Sequence, residues 1–175
     1  MTTHLAQLAI GATLTLAVVA ACGGDDSTSG SADEARRTNS QATLDEIVAL
    51  WVEPSHVVTE EEVEAAIAAH ATEEAVIYDT AFPGDTPYAE GFYNTLYGGV
   101  MDATLDVTHS WLSADGSQGG VLWLWSGTNT QGSSFELAGI SLIDFDEDGK
   151  VAYEYVTYPY DPSFVREAIM GAGTE

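Results

Sequence analysis

From Leu105 to Tyr160 the apolar residues keep to the spacing of extended chain, and this half of the sequence limits the fold more than any other. Leu105, Val107, His109 and Trp111 alternate, Val121 to Trp125 is an unbroken apolar run, and Phe135 to Phe145 and Val151 to Tyr160 complete a set of four strands. Between them stand Ala114-Asp115-Gly116, the polar stretch Asn129 to Ser134, and Asp146-Glu147-Asp148-Gly149, which are turn sequences. Four consecutive strands joined by such short turns make an antiparallel sheet.

The helical signals lie mostly upstream. Thr43-x-x-Glu46 has the form of a capping box followed by Leu44, Ile47, Val48 and Trp51 at helical spacing, and that helix is expected to end near Pro54. A second box, Thr59-x-x-Glu62, opens a helix with Val63, Ala66, Ile67 and His70 on its apolar face; a histidine there is a packed core residue before it is a catalyst. Phe92, Tyr93, Leu96, Tyr97, Val100 and Met101 suit a further helix weakened by Gly98-Gly99. Asp161-Pro162, a cap followed by proline at the first helical position, starts a short last helix that Gly171 stops. Helices gathered at one end of an antiparallel run predict an α+β layer.

Between the second helix and the sheet lies AVIYDTAFPGDTPYAEG, Ala75 to Gly91. Val76, Ile77 and Tyr78 are strand formers, whereas Pro83, Gly84, Asp85 and Pro87 are turn formers, so Asp79 is expected near the end of a short strand in apolar surroundings. A carboxylate so placed either caps the turn or works in a pocket.

Charge narrows the partners. Net charge is −24 over 175 residues. After Gln41 only Lys150 and Arg166 oppose 24 acidic side chains. Such a surface repels phosphate backbones and anionic headgroups, which excludes nucleic-acid binding as an expectation. With Cys22 the only cysteine, an internal disulfide is impossible and stability must come from the core.

Leu5 to Ala21 is apolar, uncharged and short for a membrane span, and it runs into Val19-Ala20-Ala21-Cys22. That tetrapeptide resembles a bacterial lipobox, which implies diacylation (a palmitate-type anchor) of Cys22 as the mature N-terminus. The stretch before it, MTTHLAQ, lacks the usual Lys or Arg. Gly23 to Gln41 has little to bury and is expected to be a flexible tether. The domain expectation is therefore a signal peptide over 1–21, a lipidated cysteine and linker over 22–41, and a folded domain over 42–175. The expected address is the cell envelope: the outer membrane or periplasm of a host that has them, otherwise the outer face of the plasma membrane, with contact to the bilayer through the N-terminal lipid alone.

Two or three helices, a strand ending in an acid, a further helix and the four-strand run closing with FDEDGKVAYEYVTYPYD resemble the nuclear transport factor 2-like superfamily, and within it the SnoaL-like polyketide cyclases and ketosteroid isomerases. The likeness covers roughly Leu44 to Asp161. It is carried by Ala71 to Asp79, by Glu90-Gly91, by Ser126 to Val151 and by the closing aromatic-Asp tail. It implies a cystatin-like cone: a strongly curved, mainly antiparallel sheet packed on N-terminal helices, with a pocket at the wide end.

The resemblance places Asp79 where ketosteroid isomerases hold their general base, which implies proton transfer alpha to a carbonyl assisted by oxyanion donors. At the position of the family's protonated aspartate this chain has Ser141, and the first helix has Trp51 where a tyrosine would stand. Both usual oxyanion donors are thus missing, which argues against steroid isomerisation. The same alignment makes Trp123, Trp125, Phe82 and Tyr158, with Trp51, the walls of a ligand pocket, although tryptophans alternating along a strand are also ordinary core. Glu154 faces either inward near Asp79 or outward, depending on register. His109 is either a third acid/base group or a solvated edge residue.

Asp144-x-Asp146-x-Asp148-Gly149 imitates the start of a calcium loop, but Tyr155 stands at the twelfth position where a glutamate is needed, so a hairpin turn is the expectation. No metal and no cofactor is expected. The functional expectation is an internal pocket for a small hydrophobic molecule with little or no catalysis. The alternative is a cofactor-free isomerase or cyclase with Asp79 as base and Ser141, His109 or Glu154 assisting, and homodimerisation through the outer sheet face, where Tyr153 and Tyr155 would lie, is compatible with both.

Overall fold

The computed structural model describes residues 29–52, 59–97 and 100–171. Cys22 and the segment before it lie outside the described residues. Helices α1 (Ser29–Val52) and α2 (Glu60–Ala68) come first, followed by β1 (Ala71–Asp79), β2 (Asp85–Pro87) and α3 (Tyr88–Tyr97). Strands β3 (Met101–Leu112), β4 (Gln118–Thr128), β5 (Ser134–Phe145) and β6 (Val151–Thr157) then run in succession to α4 (Pro162–Met170). None of the described helices is long and apolar enough to cross a membrane.

The strands form one curved, unclosed sheet in the order β2-β1-β6-β5-β4-β3. Pairs β3–β4, β4–β5 and β5–β6 are antiparallel, as the turn chemistry predicts. Strand β1 lies parallel to β6, so the first strand of the chain pairs with the last and sits in the interior of the sheet. Register shifts between Val107 and His109 and between Asp144 and Phe145 bend the strands, as bulges do. Two glycines let rings lie flat on the sheet: a Cβ at Gly139 would stand 2.1 Å from the Trp123 ring, and one at Gly120 would stand 2.1 Å from the Trp111 ring.

The concave face carries the core, with Val121, Trp123 and Trp125 of β4, Leu137 and Ile143 of β5 and Val156 of β6 packed against Leu44, Ile47 and Trp51 of α1. The opposite face carries Tyr155, stacked on Tyr78 at 5.7 Å. At the hairpin between β5 and β6, the Asp146 carboxylate accepts from the backbone N–H of Asp148 and of Lys150, which is turn chemistry. Asp161 caps α4 by accepting from the Ser163 N–H, with Pro162 in the first turn.

Helix α1 departs from expectation. It begins at Ser29, so residues 29–41 are helical instead of a flexible tether, and Thr43 is a buried mid-helix residue instead of a cap. The polar first half has no apolar stripe to announce it; its seat is made by distant turns. The Ser40 hydroxyl donates to the Gly116 carbonyl and Arg36 to the Asp115 carbonyl. Cβ atoms at Gly116 and Gly149 would stand 2.4 Å from the Arg37 Cα and 2.5 Å from the Ser40 nitrogen, so both turns need glycine to let the helix approach.

Candidate functional site

Asp79 ends β1 opposite Val156 of β6, and the chain turns immediately after it. One carboxylate oxygen holds that turn: Oδ1 accepts from the Ala81 N–H at 2.7 Å. The other, Oδ2, accepts from the Tyr158 hydroxyl at 2.8 Å. Asp79 is therefore both the cap and the pocket group between which the sequence left a choice. Partial burial raises its pKa above the ordinary aspartate value, against the lowering effect of the Ala81, Tyr158 and Phe82 donors.

Beside Asp79 lies a cavity of about 340 Å³. Phe82, Trp125, Ile77 and Tyr158 give it apolar and aromatic walls, Ile169 and Met170 of α4 close one side, and Thr86 and Asn94 add polar points. The volume is that of a small-ligand site. Helix α3 closes on β1 at Gly91, where a Cβ would meet Ile77 Cδ1 at 3.1 Å. Trp125 stands edge-on to Phe135 at 5.0 Å with its Nε1 buried and without a hydrogen-bond acceptor among the described residues.

A second void, of about 20 Å³, lies deeper among Trp51, Phe92, Trp123, Ser141 and Glu154. That is room for about one water molecule. Glu154 is 2% exposed, and burial pushes its pKa up to about 7; hydrogen bonding with Ser141 and Tyr88 works against that rise, and the Asp79 charge adds to it. The Trp123 Nε1–H donates to the Ser141 hydroxyl at 3.0 Å, which leaves the serine proton for Glu154. Tyr88, fully enclosed, has its hydroxyl pKa raised by burial first and then by the Glu154 charge. Neither the Tyr88 hydroxyl nor Glu154 Oε2 reaches full hydrogen-bond geometry, so the two influence each other as neighbours.

The expected site residues thus separate into groups. Asp79, Phe82, Trp125 and Tyr158 share the larger cavity, whereas Trp51, Trp123, Ser141 and Glu154 surround the small one. Trp51 is stacked on Phe92 at 6.0 Å, and Trp123 meets Tyr158 edge-to-face at 5.5 Å. His109 joins neither group and corrects the alternation assumed along its strand. The bulge after Val107, which pairs with Trp123, sets His109 opposite Leu122, so its side chain leaves the inner face. There it is exposed, with its ring 6.2 Å from Trp111. Sequence reasoning missed Tyr88 altogether and missed the bond from Tyr158 to Asp79. Alternation from Glu154 through Val156 puts Tyr158 on the right face, but nothing local marks Tyr88.

No protein-family model matches the sequence, and no curated protein matches it. Solved structures match the fold. A putative SnoaL-like polyketide cyclase from Jannaschia is 15% identical with a TM-score of 0.58, covering 87% of this chain and 100% of that one. A nuclear transport factor 2-like protein of unknown function from Burkholderia pseudomallei is 14% identical with a TM-score of 0.57, covering 75% and 97%. A hypothetical protein with a ketosteroid isomerase-like fold from Catenulispora acidiphila, solved with trimethylamine, is 12% identical with a TM-score of 0.55, covering 74% and 98%. The domain therefore has the nuclear transport factor 2-like fold; at such identities the likeness extends to the fold alone.

Proposed function

We propose that this domain binds a small, largely apolar molecule in the cavity beside Asp79, held by the aromatic walls and oriented by the Asp79–Tyr158 pair. The observation that carries this reading is the cavity itself: about 340 Å³ of space with a partly buried carboxylate facing apolar and aromatic side chains. The trimethylamine complex of the Catenulispora protein supports it, because a small molecule can be held by a protein of this fold. Native mass spectrometry of the protein purified from its host tests it. A retained molecule that is lost in Asp79→Asn supports the reading, and unchanged occupancy in that variant removes Asp79 from recognition.

A second reading, cofactor-free proton transfer with Asp79 as base on a carbonyl compound, is favoured by the raised pKa of Asp79 and by the tyrosine hydroxyl bonded to it. The putative polyketide cyclases among the neighbours are compatible with it. Against it, Ser141 and Glu154 open on the other void, so the groups that would assist do not converge on the space beside Asp79. Deuterium incorporation into a bound ketone, lost in Asp79→Asn, would move the weight to this reading.

The lipobox-like sequence supports a placement of this domain at the cell envelope through an acyl chain on Cys22. The N-terminal peptide of the mature protein should then carry a diacylglyceryl mass on Cys22. Cys22→Ser should release the protein from the membrane fraction; retention of that variant there would overturn the placement.

A further inference from the structure

We infer that the ligand of this cavity is a small organic cation, an alkylammonium ion whose charge is met by the Asp79 carboxylate and whose carbon atoms lie against Phe82, Trp125 and Tyr158. This rests on the cavity being a ligand site and names the class of molecule it takes.

Compensation of charge is the first argument. The groups that donate toward the Asp79 carboxylate, the Ala81 and Phe82 N–H and the Tyr158 hydroxyl, are all neutral. No side chain of the cavity wall is basic among the described residues. The Arg166 guanidinium donates to the Ala81 carbonyl at 2.8 Å and acts on Asp161, not on Asp79. Glu154, close enough for the two carboxylates to repel, adds negative potential when it is ionised. A partly buried carboxylate without a cation is costly, and a positively charged ligand supplies what the protein omits.

The walls give the second argument. Because Trp125 Nε1 is buried, the part of the indole that reaches the cavity is carbon, and the Tyr158 hydroxyl is already given to Asp79. What these rings offer a ligand is aromatic carbon, and a cation seated over a ring face is held most strongly where water is excluded. An anionic ligand would meet the Asp79 carboxylate and, among the described residues, no base in the wall. Beyond the cavity, the net charge of −24 raises the local concentration of cations and lowers that of anions.

The test uses the full chain and three probes of similar shape: choline, its uncharged carbon isostere dimethylbutanol, and the anion pivalate. Titration followed by calorimetry, with the Trp125 indole N–H signal reporting where binding occurs, should give choline the tightest binding, by about tenfold or more over dimethylbutanol, and pivalate the weakest. Asp79→Asn should bring choline and dimethylbutanol to within a few-fold of each other. Phe82→Leu changes an exposed wall residue that the core does not need, and it should weaken choline more than dimethylbutanol. Dimethylbutanol binding as tightly as choline would overturn the cation while leaving the cavity as a ligand site. Failure of all three probes to bind would overturn the inference too, and retention of a host molecule in the native mass spectrum then decides separately whether the cavity is a site.

Discussion

Asp79 and Glu154 stand on adjacent parallel strands, with Ile77 opposite Glu154 and Asp79 opposite Val156, yet the fold treats them differently. Asp79 is at a strand end, where the turning backbone supplies an N–H and the carboxylate lines the cavity. Glu154 is in mid-strand, where every neighbouring backbone group belongs to the sheet and only side chains remain to meet its charge. The raised pKa of Asp79 is moderated by donors, whereas that of Glu154 climbs to about 7. Position along a strand, more than residue type, decides which acid serves as an anion and which is driven toward its neutral form.

The comparison is broken most severely by making Glu154 permanently neutral. Its folded pKa of about 7 exceeds the ordinary glutamate value of 4.5, so the folded state holds this proton more tightly than the unfolded chain does. The sign follows: no penalty exists below about pH 4, stability declines as pH rises through the interval between those values, and the loss is complete above about pH 7. Glu154→Gln removes that decline. Chemical denaturation at about pH 4 and about pH 8 should show the variant gaining roughly 3 kcal/mol on the parent protein between the two conditions. Parallel pH profiles for the two proteins would mean that Glu154 is solvated and that the two carboxylates do not differ as described.

Ser141→Ala is expected to have the next largest effect. It takes away the acceptor of the buried Trp123 N–H and the hydroxyl that serves Glu154, so stability should fall by about 2 kcal/mol at neutral pH. Because Ser141 lowers the Glu154 pKa, the window of declining stability should also extend to higher pH, which a mere packing defect would not do. Measuring the same denaturation midpoints across pH separates the two.

How much of this was legible in the sequence depends on how local the causes are. The β5–β6 hairpin, the cap at Asp161 and the strand spacing of β4 and β5 are written in neighbouring residues, and each appears where expected. The place of β1 beside β6 and the helical state of residues 29–41 depend on partners far along the chain, such as the Gly116 and Gly149 turns, and no local pattern announces them. The same holds for the site. Asp79 could be found because strand formers give way to turn formers around it. The face of His109 could not, since one bulged residue after Val107 reverses every expectation drawn from alternation. The partnership of Tyr88 with Glu154 joins a helix to a strand with no sequence mark on either.

The smallest expected effect falls on the Asp79 side. Tyr158→Phe deletes the hydroxyl that donates to Oδ2 and leaves the ring, with its edge-to-face contact to Trp123, in place. Water can reach part of this carboxylate, so the stability cost at neutral pH should be about 1 kcal/mol, below that of Ser141→Ala. The Tyr158 bond lowers the Asp79 pKa, so its loss should raise that pKa further above 3.8. A group with a raised folded pKa holds its stability below the unfolded value and loses it as pH rises through the folded one, so the cost should vanish in acid and grow toward neutrality. NMR titration of the Asp79 carboxyl carbon reads the shift directly. An unmoved midpoint would show that Oδ2 does not depend on Tyr158, and the orientation assigned to this carboxylate in the cavity would fall with it.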